Sequence, residues 1–304
     1  MDLHYVRRGT GKPLLLIHGL GSTHHNWDLI AGELAARREV IAIDLPGHGD
    51  SAPLPGEVSI STLADAVTGF LRAHDLLGVD AVGSSMGARL VLELVRRGGV
   101  LGAVVSLNPG GFWRGWEIPF FYHSVRLSAQ LVKQLQPVLP ALTGNPVGRS
   151  LLLAQFSARP WRIPGPVALT ELRSFVPAPT FTGLLRNLAY GEVQQGTPAG
   201  TVTAPLVIGW GRQDRVCLPQ QAKRAARKFP DAHLHWFDGC GHFPQLDVPR
   251  QATQLILAVV EGTYAPARKA RQAAGAGNAP VLAGVALALL AGLFFLRRRD
   301  RPGA

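Results

Sequence analysis

The strongest constraint in this chain is an alternation: short apolar runs are followed, repeatedly, by segments of helical spacing. The runs are KPLLLIHGL (12–20), EVIAIDLPGHGDS (39–51), VDAVGSS (79–85) and LGAVVSLNPGG (101–111). Between them lie NWDLIAGELAARR (26–38), with Trp27, Ile30 and Leu34 on one face, then ISTLADAVTGFLRAHDL (60–76), capped by Ser59 or Ser61, then MGARLVLELVRRG (86–98). A short continuous apolar run bounded by turn residues suits a strand buried on both faces. Strands of that kind, joined through helices, build a largely parallel α/β sheet, because each crossover lays a helix on one face. The pattern resumes at TAPLVIGWGRQD (203–214), PQQAKRAARKF (219–229), AHLHWFDGCGHF (232–243) and PRQATQLILAVVEGTY (249–264).

In between, residues 112–196 offer helix-like apolar stretches broken by prolines and no convincing strand. They read as a helical insertion or as further core helices of the same domain.

Composition narrows the function classes. The chain has 304 residues, 47% hydrophobic and 17% charged, enough to bury one large core. Its net charge of +11 is concentrated in part around a C-terminal apolar run, and no basic helix with interleaved aromatics appears, so nucleic acid is not expected as a partner. Cys217 and Cys240 form neither a metal motif nor a disulfide framework and read as two free thiols in a reducing compartment. His24 and His25 are adjacent and point apart, with no third ligand in view, so no metal is expected. The N-terminus lacks the basic start and apolar core of a signal peptide.

The chemistry gathers around GSSMG (83–87), a G-x-S-x-G placed between a strand and a helix. In that context Gly83 and Gly87 let strand and helix approach, the turn lifts the Ser85 hydroxyl off the strand end, and the Met86 amide opens the helix beside it. A serine hydroxyl needs a base, and the base needs a carboxylate to orient it. GCGHF supplies His242 after the last strand, and GRQD supplies Asp214 after the one before. The order Ser85, Asp214, His242 is that of a triad on an α/β sheet, each member just beyond a strand's C-terminal end. A second oxyanion donor is expected from HGLGS (18–22), where His18 and Gly19 end a strand and the Leu20 amide faces Met86. His18 reads as support for that loop, and His48 as packing.

On HGLGS, DLPGHGDS (44–51), GSSMG, GRQD and GCGHF, the chain resembles the α/β-hydrolase superfamily, in its esterase, lipase and C–C-hydrolase branch. The resemblance implies a mostly parallel eight-stranded sheet with helices on both faces, a helical cap and the roles just described. Ser84 stands where many relatives have His, and Asn108 in LNPGG stands where some place the acid, leaving Asp214 for that role. The resemblance gives a core of residues 1–111 and 197–264 and a cap at 112–196; beyond them the residues themselves read as a linker at 265–279, a membrane-spanning helix at 280–296 and a basic tail at 297–304. The span rests on VLAGVALALLAGLFFL (281–296), followed by RRRDR; a packed or interfacial helix is the alternative. Basic residues flank it on both sides, so charge does not orient it, and a cytoplasmic domain tethered by its C-terminus is expected.

The expected activity is serine hydrolysis of an ester-type bond in a small lipophilic substrate, without a cofactor. C–C, thioester or amide hydrolysis, acyl transfer, or ligand binding without catalysis are the alternatives.

Overall fold

The computed structural model describes residues 2–175 and 180–266. Seven strands form one sheet: β1 (Tyr5–Arg8), β2 (Pro13–Ile17), β3 (Glu39–Ile43), β4 (Val79–Ser84), β5 (Leu101–Leu107), β6 (Leu206–Gly211) and β7 (His233–Phe237). Their order is β1-β3-β2-β4-β5-β6-β7, with β1 antiparallel to β3 and every other neighbour parallel.

Side chains alternate across the sheet and so build two cores. In β2, Leu15 and Ile17 join one core while Leu14 and Leu16 join the other; in β3 the pairs are Ile41 and Ile43 against Val40 and Ala42. The first face is covered by α2 (Ile60–Ala73) and α3 (Met86–Arg97) through residues such as Phe70 and Leu90. The second is covered by α1 (Asp28–Ala35) and by the last helix through Ile30, Leu34 and Ile256. Of the two possible caps for α2 the chain uses Ser59: its hydroxyl accepts from Thr62 N at 3.2 Å while Thr62 Oγ1 accepts from Ser59 N at 2.9 Å.

Between β5 and β6 the chain is helical: α4 (Glu117–Leu135), α5 (Leu139–Gly144), α6 (Pro146–Leu153), α7 (Gly165–Ser174) and α8 (Phe181–Tyr190). The prolines that interrupt this stretch in sequence open its helices. Pro140, Pro146 and Pro166 occupy the first turns of α5, α6 and α7, where a missing N–H costs nothing. Arg89, buried in α3, holds the end of the insertion by donating to the Leu188 carbonyl at 3.3 Å and to that of Glu192. The chain then completes the sheet with β6 and β7, joined through α9 (Gln220–Lys228), and ends in α10 (Pro244–Asp247) and α11 (Pro249–Val260) among the described residues.

Two expectations are corrected. The sheet has seven strands, not eight, because the residues before β2 supply a single antiparallel edge strand, β1. The membrane span and the tethered location are not supported either. Among the described residues no helix is long and apolar enough to cross a membrane; the 19-residue α4 carries Glu117, Arg126 and Lys133. Residues 280–296, where the sequence suggested a span, lie outside the described residues.

At the sheet edge away from the strand C-termini, Asp80 is buried and accepts from Arg38 Nη2 at 2.6 Å, Lys12 Nζ at 3.0 Å and Ala103 N at 2.9 Å. Arg38, also buried, donates to the carbonyls of Lys12, Pro13 and Val260, so one ion pair joins β2, β4 and the end of α11. Burial alone would raise the Asp80 carboxyl, but the bonds from Arg38 and Lys12 outweigh it and hold it below the usual range. That contribution is fully present above the unfolded carboxyl's pKa and is lost as pH falls through the lower folded one. Asp80→Ala, which leaves Arg38 buried without its partner, is expected to cost about 3–5 kcal/mol in urea unfolding at neutral pH; an unchanged midpoint would show that the pair carries no stability.

Candidate active site

His18, Ser85, Asp214 and His242 fall at one edge of the sheet, past a strand's C-terminal end: His18 after β2, Ser85 after β4, Asp214 after β6 and His242 after β7. The chain goes from β2 outward to β3 and then returns past β2 to β4, so the loops after β2 and β4 diverge and leave a crevice between them.

The turn at Ser85 is built by lack of space. A Cβ on Gly83 would lie 2.2 Å from the Gly87 carbonyl oxygen, and one on Gly87 would lie 2.3 Å from that of Ile17. Side chains at either position would push α3 away from β4 and β2. Within this turn Ser85 takes φ +56° and ψ −110°, a region a non-glycine residue enters only under constraint. The constraint is visible: Ser85 N donates to the Leu107 carbonyl at 2.9 Å, and the Ser85 carbonyl accepts from Arg89 N at 3.0 Å. Gly19 closes the other side, where a Cβ would sit 3.0 Å from Ser85 Cβ.

The structure brings the three polar candidates together. His242 Nε2 lies 2.8 Å from Ser85 Oγ, and His242 Nδ1 lies 2.9 Å from Asp214 Oδ2. Asp214 also accepts from Val216 N at 2.8 Å, Cys217 N at 3.0 Å and Asn108 Nδ2 at 2.5 Å. A carboxylate ringed by donors makes Nδ1 the protonated nitrogen of His242, which leaves Nε2 to accept from the serine hydroxyl. Asp214 and His242 are both buried.

His18 has a different fate. Its Nε2 accepts from Leu45 N at 2.9 Å, so its Nδ1 carries the proton and donates to the Gly19 carbonyl at 2.7 Å. Burial, aided by nearby His48, lowers its pKa to about 3, so the ring is neutral. The Gly19–Leu20 peptide is trans and planar, so with its carbonyl turned to His18 its N–H points the opposite way. Leu20 and Met86 both line the cavity beside Ser85, and Met86 opens α3, where an N–H has no intrahelical acceptor. The cavity, of about 30 Å³, is walled mainly by Trp113, Phe121, Phe156, Phe175 and Phe243. Cys217 also lines it as a buried free thiol, raised well above its ordinary pKa by burial, and Cys240 is buried and free as well.

His24 does find neighbours. With His4 it flanks Asp44, at 3.0 and 2.9 Å. Asp44 is also bonded to the backbone amides of His24 at 2.7 Å and Asp50 at 3.2 Å, so its oxygens are taken by the loop they organise. His48 packs beside His18 with ring centroids 5.2 Å apart.

A family model described as the alpha/beta hydrolase family matches residues 14–254. The chain belongs to that family. Among its relatives is an uncharacterized protein of Mycobacterium tuberculosis, 27% identical over 261 residues, covering 82% of this chain and 75% of that protein. A 2-hydroxy-6-oxononadienedioate/2-hydroxy-6-oxononatrienedioate hydrolase of Dechloromonas aromatica is 25% identical, covering 84% of this chain and 90% of its own. Of solved structures, a putative lipase of Acinetobacter baumannii shares the fold with a TM-score of 0.66 at 24% identity, over 85% of this chain and 87% of that one.

Sequence reasoning missed one residue that holds this site together. Asn108 offers no carboxylate, yet it holds that of Asp214. Its Nδ2 bridges Asp214 Oδ2 and the Gly241 carbonyl, its Oδ1 accepts from Gly211 N, and its backbone sits at φ +52°. The signal was an asparagine at a strand end before Pro-Gly-Gly, a residue type that tolerates such backbone. Asn108→Leu is expected to free Asp214 and slow the reaction of Ser85 with a fluorophosphonate probe by about tenfold or more; an unchanged rate would remove Asn108 from the site.

Proposed function

We propose that this hydrolase cleaves an ester-type bond of a small lipophilic substrate through an acyl-enzyme on Ser85. The observation that carries the reading is the continuous hydrogen-bonded line from Asp214 through His242 to Ser85, 2.9 and 2.8 Å long in its two steps. Ser85 Oγ attacks the carbonyl carbon as His242 Nε2 takes its proton. Asp214 keeps the ring in the tautomer that can do so and stabilises the positive charge that develops. The amides of Leu20 and Met86 hold the carbonyl oxygen as it becomes negative. His242 then protonates the leaving alcohol, and the same nitrogen deprotonates the water that releases the acid. The steps use side chains and amides of this chain alone.

The walls of the cavity support a lipophilic substrate. Among the described residues no aspartate, glutamate, lysine or arginine lines it. The Dechloromonas relative is named for dicarboxylates. A second carboxylate would meet only aromatic and aliphatic surface here, which favours an uncharged acyl group. The cavity's narrowness favours a short one.

The test is turnover of p-nitrophenyl esters from acetate to palmitate. Activity should fall off toward long chains, and Ser85→Ala should lower kcat by about 10⁴-fold or more. Full turnover by Ser85→Ala would sink the mechanism. A wild-type protein that reacts with a fluorophosphonate but leaves every ester intact would instead redirect the search to thioester, amide or C–C bonds on the same serine.

A further inference from the structure

A buried line of polar side chains runs beside the reacting groups without joining them. Ser22 Oγ donates to Glu171 Oε2 at 3.0 Å, and Asn26 Nδ2 donates to the same oxygen at 3.1 Å. Gln245 Nε2 donates to Asn26 Oδ1 at 2.5 Å and to Ser84 Oγ at 2.9 Å. All five residues are buried. The line therefore touches four parts of the site: the 18–22 loop that carries Leu20, the helical insertion through α7, the residue before Ser85, and α10, which follows the His242 loop.

The insertion meets the loop a second time. Ser174 Oγ, near the end of α7, lies 2.7 Å from the Gly21 carbonyl. Gly21 has φ +72°, and a Cβ there would lie 2.8 Å from the Phe175 ring and 3.0 Å from that of Phe181. Loop and insertion thus meet with no slack between them.

A carboxyl group is a costly occupant for the centre of this contact. Burial raises Glu171 to about 7, because the charged carboxylate is disfavoured there. What an apolar side chain cannot supply is an acceptor aimed at two donors, one on the loop and one on the turn that follows it.

We propose that Glu171 is a positioning residue for the reaction: it fixes the 18–22 loop, and with it the Leu20 amide, against Ser85, and so makes assembly of the site depend on the docked helical insertion. The inference rests on the serine-hydrolase reading above. Without Glu171 the loop that carries the Leu20 N–H is held by His18 and Ser174 but no longer through Ser22. The transition state is then met less well by one of its two donors, while ground-state binding, set by the aromatic walls, is retained. The loss falls on kcat and not on KM.

The experiment measures ester kinetics, the fluorophosphonate labelling rate and the melting temperature for wild type, Glu171→Leu, Glu171→Gln and Ser22→Ala. Glu171→Leu is expected to lower kcat and the labelling rate together by about 10–100-fold, with KM held within about threefold. Glu171→Gln, whose amide oxygen can accept both bonds, should stay within about threefold of wild type, and Ser22→Ala should fall between the two. Wild-type kcat in folded Glu171→Leu, or a change in KM alone, overturns the proposal. Should Glu171→Leu fail to fold, wild-type kcat in Ser22→Ala overturns it instead. If wild type labels while the variants label equally fast, only the role of Glu171 falls. If wild type neither labels nor turns over any ester, the serine reading fails and takes this role with it.

Discussion

Between the end of β4 and the start of α3 there is room for a backbone and nothing else, and the site is arranged around that fact. Gly83 and Gly87 face each other across the turn, Gly87 also abuts the end of β2, and Gly19 abuts Ser85 itself. The price is a serine in an unfavoured backbone region, held there by the Leu107 carbonyl and the Arg89 amide. The gain is a hydroxyl lifted clear of the sheet, next to an amide that no helix carbonyl can reach. Because the elbow is rigid, the other loops need only be brought to it.

Burial sorts the histidines that meet at this edge. His18 is locked neutral between the Leu45 amide and the Gly19 carbonyl, so it orients a peptide and moves no proton. His242 keeps one nitrogen on a carboxylate and the other on a hydroxyl, the arrangement a proton carrier requires. His24 lies beside Asp44, which raises its pKa through a direct hydrogen bond. Three rings of one chemistry thus take three different sets of hydrogen bonds, set by which neighbours burial leaves them.

The parallel core was legible because its evidence is local. Apolar runs of strand length and helices of regular spacing report their own burial, and the glycine pattern around Ser85 reports its own turn. That the described residues of 112–196 form no strand was legible too, although the prolines there start helices instead of breaking them. The number of strands was not legible, since an eighth strand came by resemblance and the residues before β2 form only one. Nor was the role of Asn108 or the contact at Glu171. Asn108 meets Asp214 across 106 residues of chain, and Glu171 meets Ser22 across 149. Taken alone, a glutamate in an amphipathic helix reads as a solvated one.

The sequence by itself therefore determined the α/β sheet, the elbow and the identity of the three polar groups that meet there, because each is announced by a local pattern with a local physical cause. Only the tertiary structure decided how those groups are held. The donors around Asp214, the tautomer of His18 and the grip of α7 on the 18–22 loop all depend on side chains that folding brings together from distant parts of the chain. Hydrogen bonds are directional and act over a few ångströms, so partners of that kind leave no mark on the spacing of residues along the chain.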